Sequence, residues 1–290
     1  MTLREEEALD QTSRNIDDTP TVPASAGPTE HPGEMLRLEQ VEKRYGAFTA
    51  VKALDLVLPR GCIFGFLGPN GAGKTTTIRM ISGVLQPTAG RILIGGDDLA
   101  TDPSAAKARI GYIPDRPFLY EKLSGAEFLR FVAGLWGKDG DAAEERGLRL
   151  MEIFHIADWK DELIESYSHG MRQKLLISSA LIHQPELIVV DEPMVGLDPR
   201  AARLLKDILR TFVSEGGTVF LSTHTLEVAE VLCDYISIIS QGSIIASGSM
   251  DELRAQAQAG EAHLEEIFLK VTGGAEMVDV VASLKGALER

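Results

Sequence analysis

GFLGPNGAGKTTT, residues 65–77, is the stretch that determines the fold of this chain of 290 residues. Inside it, the residues from Gly68 to Thr75 match the pattern G-x-x-x-x-G-K-[ST]. An apolar run precedes the loop at 62–67, and apolar residues recur at helical spacing from 78 to 85. Because a strand before this pattern and a helix after it are the context of a phosphate-binding loop, we predict one here. The alternative is an ordinary glycine-rich turn.

The loop residues predicted to surround the phosphates are Gly68, Asn70, Gly71, Gly73, Lys74, Thr75 and Thr76. Glycines allow successive backbone N–H groups to turn inward around an anion, and the following helix adds its positive dipole end. Lys74 supplies a point charge to the β- and γ-phosphates, and Thr75 offers a hydroxyl to Mg²⁺. Thr76 is predicted to face the α-phosphate. The loop by itself predicts a protein that binds ATP or GTP.

Two adjacent acids close a second apolar run, in ELIVVDEP at residues 186–193. Asp191 is predicted to hold Mg²⁺ through water, opposite Thr75, because a carboxylate after such a strand does so in P-loop proteins. Glu192 is predicted to polarise a water molecule for attack on the γ-phosphate. The alternative for both residues is a pair of solvated acids in a turn.

The charge of the chain bears on its partners. The net charge is −14 and the pI is about 4.9, so the chain is a poor candidate for gripping a nucleic-acid backbone or an anionic membrane surface. No apolar run approaches the roughly 18–20 residues that a membrane-spanning helix needs.

Only two cysteines occur, Cys62 and Cys233, and we expect free thiols, with a disulfide as the open alternative.

Alternating strand and helix patterns predict an α/β fold with a largely parallel sheet. The P-loop core is predicted within residues 35–240, with a mostly helical block inserted at about 116–180. One apolar helical stripe of that block consists of Phe128, Phe131, Val132 and Leu135. Residues 1–34, which carry eight acids and two arginines, are predicted to be a disordered acidic tail, and residues 241–290 a C-terminal appendage.

The stretch YSHGMRQK, residues 167–174, narrows the function. It resembles LSGGQ, the signature motif of the ATP-binding cassette family, and it leads into a helix. Tyr, His and Met replace the Leu, the first Gly and the Gln of that motif, whereas Ser168 and Gly170 are retained. The alternative is that Ser168 is a plain helix N-cap, a role compatible with phosphate binding because both use the same free N–H groups.

Other positions then resemble the motifs of the family in the right order, from residue 35 to about 248. Asp198 in VGLDP resembles the key acid of its D-loop. His224, 33 residues after Asp191, resembles the switch histidine that contacts the γ-phosphate. Tyr45, 29 residues before Lys74, is placed like the aromatic residue that stacks on adenine, with strand-end packing as the alternative. The resemblance implies a P-loop NTPase core with a mostly parallel sheet, an antiparallel β subdomain and an inserted helical subdomain.

The sequence departs from the family at one position. Where the Q-loop usually carries Gln, this chain has Asp115, 41 residues after Lys74. A carboxylate can still reach Mg²⁺ through water, but it cannot donate a hydrogen bond as Gln does. The resemblance therefore implies Thr75, Asp115 and Asp191 as the Mg²⁺ site. The apolar residues 118–120 that follow are either a docking contact for another subunit or internal packing.

The resemblance implies an ATPase that works as a head-to-tail homodimer, in which Ser168 and Gly170 act on the ATP bound by the second copy. We expect the ATP-binding and hydrolysing subunit of an ABC transporter, using ATP and Mg²⁺. It would sit on the cytoplasmic face of a membrane and power export through a separate membrane-spanning permease, with no nucleic-acid partner. The stretch HLEEIFLKVTGG, residues 263–274, resembles a segment of many export-type subunits. The alternatives are a soluble ABC ATPase acting on nucleic acid or the ribosome, and a P-loop kinase or biosynthetic enzyme.

Overall fold

The computed structural model describes residues 33–115, 118–138, 140–192, 194 and 199–273. Its larger sheet has six strands in the order β10-β9-β3-β8-β7-β6. All neighbouring pairs are parallel except β9 with β10, so the predicted mostly parallel sheet is confirmed. The strands are β3 (Ile63–Leu67), β6 (Ile110–Ile113), β7 (Leu187–Asp191), β8 (Thr218–Ser222), β9 (Tyr235–Ser240) and β10 (Ser243–Gly248).

A second sheet is antiparallel and has the order β2-β1-β4-β5. Its strands are β1 (Glu34–Tyr45), β2 (Phe48–Pro59), β4 (Ala89–Ile94) and β5 (Asp97–Asp98). A two-residue turn joins β1 to β2, and its first residue, Gly46, has φ +60°. Tyr45 and Phe48 are therefore direct cross-strand partners at the tip of this hairpin. The antiparallel β subdomain that the resemblance implied is confirmed.

The helices connect and flank these strands. They are α1 (Lys74–Ile81), α2 (Pro103–Ala108), α3 (Gly125–Leu135), α4 (Asp141–Ile153), α5 (His169–Leu181), α6 (Pro199–Ser214), α7 (Leu226–Leu232), α8 (Met250–Gln256) and α9 (Leu264–Thr272). Short 3₁₀ helices occupy Ala157–Trp159 and Ile164–Ser166. The helices α3, α4 and α5 lie between β6 and β7 in the chain, which confirms an inserted helical subdomain.

The larger sheet is buried on both faces, and this explains its continuous apolar strands. On β7, Leu187 and Val189 join a core with α1 and the antiparallel sheet. Ile188 and Val190, which alternate with them, join a second core with the inserted helices and α6. A third core holds α8 and α9 against the end of β3 and the strand β9. The phosphate-binding loop leaves β3 where these cores meet.

Several sequence-based predictions concern regions at the limits of the structure. The tail of residues 1–34 falls almost entirely outside the described residues, as do Asp198 and the last residues of the appendage, so the domain boundaries stay predictions.

Both cysteines are free: Cys62 is buried and Cys233 half-buried, and burial raises the pKa of each thiol to about 12. Within the described part of the chain, every helix is too short or too polar to cross a lipid bilayer.

Candidate functional site

The phosphate-binding loop runs from the end of β3 into α1, and its backbone requires glycine at two points. Gly73 has φ +111°, and a Cβ there would lie 2.7 Å from the carbonyl oxygen of Ala50. A Cβ on Gly68 would lie 2.3 Å from the carbonyl oxygen of Ile239. The N-cap of α1 is Gly73 and supplies no side-chain hydrogen bond, so the first amides of the helix keep their capacity for an anion.

The side chain of Lys74 contacts the backbone at the start of the phosphate-binding loop. Its Nζ donates hydrogen bonds to the carbonyl oxygens of Gly68 at 2.6 Å and Pro69 at 3.2 Å. Burial lowers the pKa of Lys74, while the charges of Glu192 and Asp191 act in the opposite direction. The ammonium group is thus held at the centre of the loop, where an anionic ligand would strengthen its charged form.

A cavity of about 650 Å³ opens over this loop, a size typical of small-molecule sites. It brings together predicted residues from five separate stretches of sequence. Its lining consists of Tyr45, Phe48, Ala50, Asn70, Gly71, Gly73, Lys74, Thr75, Thr76, Asp115, Glu192 and His224. Phosphate-binding groups, an aromatic side chain and a carboxylate–imidazole pair therefore share one space.

The aromatic side of the cavity contains a residue that sequence reasoning missed. The ring of Tyr45 is 49% exposed, and Lys43 Nζ lies 5.5 Å from its centroid, so an ammonium group covers one face. Phe48 is 64% exposed and also lines the cavity. The signal that could have revealed Phe48 is the stretch YGAF, because a two-residue hairpin turn makes the residues on either side of it cross-strand neighbours.

Glu192 and His224 form a contact pair at one wall of the cavity. The Nδ1 of His224 lies 2.8 Å from Oε2 of Glu192, and the His224 backbone N–H donates to the same oxygen at 3.2 Å. Glu192 has φ +51°, a left-handed conformation that non-glycine residues adopt rarely and that concentrates at functional sites. Its own N–H donates to the carbonyl oxygen of Ser222 at 3.0 Å, which fixes this conformation.

Asp191 is a buried carboxylate at the end of β7, only 3% exposed. Within the described part of the chain its Oδ1 has no hydrogen-bond partner. Burial raises the pKa of Asp191; the nearby Ser222 hydroxyl and the charge of Lys74 act in the opposite direction, and the charges of Glu192 and Asp115 add to the rise. A buried carboxylate oxygen without a partner, on a residue that interacts electrostatically with Asp115 of the cavity lining, fits a hard divalent cation such as Mg²⁺.

Four of the predicted site residues that the structure describes do not line this cavity. Asp191 is buried at the end of β7, and Gly68 lines a smaller neighbouring cavity. Ser168 caps α5, because its Oγ accepts the Met171 N–H at 3.3 Å, so the N-cap interpretation is confirmed. Gly170, in the first turn of the same helix, is half-exposed, and the cavity lining includes neither it nor Ser168.

Phe118 and Tyr120 expose apolar side chains at the surface. Phe118 is 84% exposed and Tyr120 53% exposed, so internal packing is the wrong interpretation for them, whereas Leu119 does pack against the core. Tyr120 contacts Phe131 edge-on, with ring centroids 5.3 Å apart. The predicted stripe of α3 is therefore only partly buried: Phe131 is 41% and Leu135 69% exposed.

Comparisons with known proteins agree with this geometry. Residues 51–195 match the family described as ABC transporter. The chain is 41% identical over 221 residues to the daunorubicin resistance ATP-binding protein DrrA3 of Streptomyces coeruleorubidus, covering 76% of this chain and 70% of that protein. It is 38% identical over 219 residues to the linearmycin resistance ATP-binding protein LnrL of Bacillus subtilis (strain 168), covering 76% and 70%.

A solved structure is also similar. The structure described as an ATP-binding subunit of an ABC transporter superposes with a TM-score of 0.78 at 34% sequence identity. The superposition covers 82% of this chain and 99% of the solved chain. The similarity therefore includes both sheets and the inserted helices, and extends well beyond the phosphate-binding loop.

Proposed function

This chain belongs to the ATP-binding ATPase subunits of the ABC transporter family, and we propose that its ATP hydrolysis drives export through a separate membrane-spanning subunit. The proposal of export draws support from the relatives, two of which are named for resistance to daunorubicin and to linearmycin. The protein would then lie on the cytoplasmic face of a membrane, held there by its partner.

The observation that supports ATP hydrolysis is that the phosphate-binding loop and the Glu192–His224 pair line the same cavity. A site that only bound ATP would need the loop and an aromatic platform. Glu192 has a strained backbone conformation and lines the same cavity as the loop. A carboxylate there can accept a proton from the attacking water, which hydrolysis needs and binding alone does not.

We assign each side chain a role in that reaction. Tyr45 stacks on the adenine, the loop amides hold the phosphates, and Lys74 neutralises charge on the β- and γ-phosphates. Glu192 accepts a proton from a water whose oxygen attacks the γ-phosphorus, as the bond from that phosphorus to the β–γ bridging oxygen breaks. His224 holds the Glu192 carboxylate and reaches the γ-phosphate.

The donor set suits Mg²⁺, with Thr75, Asp191 and Asp115 as the residues that would hold it. The ion would supply positive charge where the phosphate oxygens become more negative in the transition state. In this chain the roles of the three residues differ. Thr75 and Asp115 line the cavity, whereas Asp191 is buried and would hold the ion through the oxygen that has no hydrogen-bond partner among the described residues.

We further propose that two copies of the chain enclose each ATP, head to tail. The signature residues Ser168 and Gly170 lie away from the cavity of their own chain, which is what an action on the ATP of a second copy requires. The start of α5 has free N–H groups and a positive dipole end, which are suited to a phosphate presented by that copy. Asp198 is proposed to lie at the same junction.

The membrane partner is proposed to dock on the aromatic patch, which we define as Phe118, Tyr120, Phe131 and Leu135. All four side chains are exposed, and Tyr120 contacts Phe131; exposed apolar patches mark protein interaction sites. Phe118 and Tyr120 of the patch follow Asp115 by three and five residues in the chain, so we propose that a shift of the partner would reach the edge of the ATP cavity.

The test is a pull-down of tagged protein from detergent-solubilised membranes of the source cell. We expect the wild-type chain to retain a multi-spanning membrane protein, and the double variant F118S/Y120S to lose it. A matched control is Val231→Ser, because Val231 is 65% exposed on α7, outside the aromatic patch. Retention of ribosomes, nucleic acid or soluble proteins alone would contradict the proposal and favour a soluble ABC ATPase.

A further inference from the structure

A second cavity, of about 210 Å³, lies beside the ATP cavity and joins parts of the chain that the proposed function does not connect. One wall is the start of the phosphate-binding loop, a second is the segment that carries His224, and a third is a single aromatic side chain from α9. The lining consists of Gly68, Pro69, Asn70, Thr223, His224, Leu226 and Phe268.

The helix α9 is anchored to the base of the phosphate-binding loop. Leu264 and Ile267 are fully buried in the third core together with Leu67, the residue directly before Gly68. Leu226 and the half-buried Phe268 pack against the same core. A movement of α9 would therefore be transmitted to the loop, because closely packed interiors do not absorb displacements.

A polar contact joins the start of α9 to α7, the helix that follows His224 in the chain. Glu230 lies on α7, which begins two residues after His224. Its Oε2 accepts the backbone N–H of Leu264, the first residue of α9, at 3.4 Å. Its Oε1 lies 3.1 Å from Nδ1 of His263 and 3.8 Å from Nη2 of Arg254. A carboxylate at the N-terminus of α9 also favours the helix dipole.

We propose that α9 is a positioning element of the ATP site, and that Phe268 sets the distance between the phosphate-binding loop and the His224 segment. The phosphate-binding loop and the His224 segment both carry groups that must reach the terminal phosphate together. A misplacement of about 1 Å can cost on the order of 100-fold in rate. The inference rests on the proposed role of His224. It gives the C-terminal appendage a part in hydrolysis that the sequence did not suggest.

The experiment compares Phe268→Ala with Leu269→Ala in the full chain. Leu269 is the next residue of α9, is 38% exposed and does not line the second cavity, so its truncation controls for the loss of apolar surface. Steady-state hydrolysis is measured per nucleotide-binding site, and the Kd of a fluorescent ATP analogue is measured separately. This normalisation removes any fraction of the variant that has failed to fold.

We expect Phe268→Ala to lower kcat by about 5- to 20-fold and to change Kd by less than about 3-fold, because the binding groups remain and only their alignment is lost. Phe268→Leu, which keeps most of the apolar volume, should recover kcat to within about 2-fold of the wild type. A kcat for Phe268→Ala equal to that of Leu269→Ala would overturn the inference.

Hydrogen exchange separates this inference from the proposed function. Without any nucleotide, Phe268→Ala should accelerate amide exchange in residues 68–71 and 223–226, and leave residues 168–173 unchanged. Unchanged exchange in the first two segments would contradict the positioning role even if hydrolysis were slower in the variant. Accelerated exchange in a protein without ATPase activity would support the positioning role and count against the proposed function alone.

Discussion

The Nδ1 of His224 lies 2.8 Å from Oε2 of Glu192, although 32 residues separate them in the chain. The contact follows from sheet topology. Glu192 comes directly after β7 and His224 comes two residues after β8, and these strands are parallel neighbours in which Asp191 pairs with Ser222. Because the carboxyl ends of parallel strands meet at one edge of the sheet, the two side chains converge beside the phosphate-binding loop.

The contact predicts that His224→Ala lowers the rate of hydrolysis more than the affinity for ATP. Without the imidazole, Glu192 loses the group that orients it, and we expect kcat to fall by about 10- to 100-fold. The Kd for ATP should change by less than about 3-fold. Steady-state kinetics and nucleotide titration measure the two quantities. His155→Asn, at an exposed histidine outside the cavity, serves as the control and should leave both unchanged.

The aromatic wall predicts a change in affinity and not in turnover. Tyr45→Ala removes a stacking surface worth about 1–2 kcal/mol, and we expect the Kd for ATP to rise by about 5- to 30-fold. Tyr45→Trp should keep the affinity. At saturating ATP the kcat of both variants should match the wild type, because the phosphate site is intact. An unchanged Kd in Tyr45→Ala would show that the ring packs without binding the base.

Because Asp191 is a buried carboxylate, we predict that its replacement by Asn stabilises the nucleotide-free protein and abolishes hydrolysis. Its pKa is raised in the folded state, so the ionised form is disfavoured there, and this penalty grows as pH rises above the ordinary carboxyl value. At neutral pH, Asp191→Asn should therefore raise the Tm of the nucleotide-free protein by a few degrees and abolish Mg²⁺-dependent hydrolysis. Calorimetry of the nucleotide-free protein tests the first part, and an assay of phosphate release with Mg²⁺ and ATP tests the second. A lower Tm would mean that Asp191 is a structural carboxylate.

A pH dependence of stability follows from His183. Its Nε2 lies 2.9 Å from the carbonyl oxygen of Ile110, its ring stacks on Trp136 at 4.3 Å, and burial lowers its pKa. The unfolded chain therefore takes up a proton more readily than the folded one, and stability falls as pH drops below about 6.5. We expect the Tm of His183→Leu to fall less than that of the wild type between pH 7 and 5.5. Parallel Tm curves for the two proteins would exclude this contribution.

The parts of the site that the sequence predicted are those that follow directly from strand order. The phosphate-binding loop, Asp191, Glu192 and His224 all come after buried parallel strands, and their place at one sheet edge is a consequence of that topology. Tyr45 and His224 were predicted only through the family resemblance, although the position of His224 after β8 fits the same strand order. The antiparallel sheet brings Tyr45 to the cavity, and its alternating pattern alone would not specify where the hairpin tip lies.

The parts that the sequence did not reveal depend on packing between distant elements. Phe268 has the helical spacing of a core residue, and nothing in its own stretch indicates that it faces the start of the phosphate-binding loop. Phe131 and Leu135 were predicted on one apolar stripe with Phe128, yet they are exposed, because the inserted helices cover only part of that face. Periodicity identifies an apolar face but does not identify what covers it.

The central claim, that two copies of this chain hydrolyse ATP between them with Glu192 as the base, is tested most directly by the mass of Glu192→Gln in solution. Glutamine keeps the shape of the side chain but cannot accept the proton, so ATP should stay bound and hold the two copies together. With saturating ATP and Mg²⁺, light scattering should give twice the 31.5 kDa of one chain, and without ATP the mass of one chain. A single-chain mass at saturating ATP and Mg²⁺ would contradict the account.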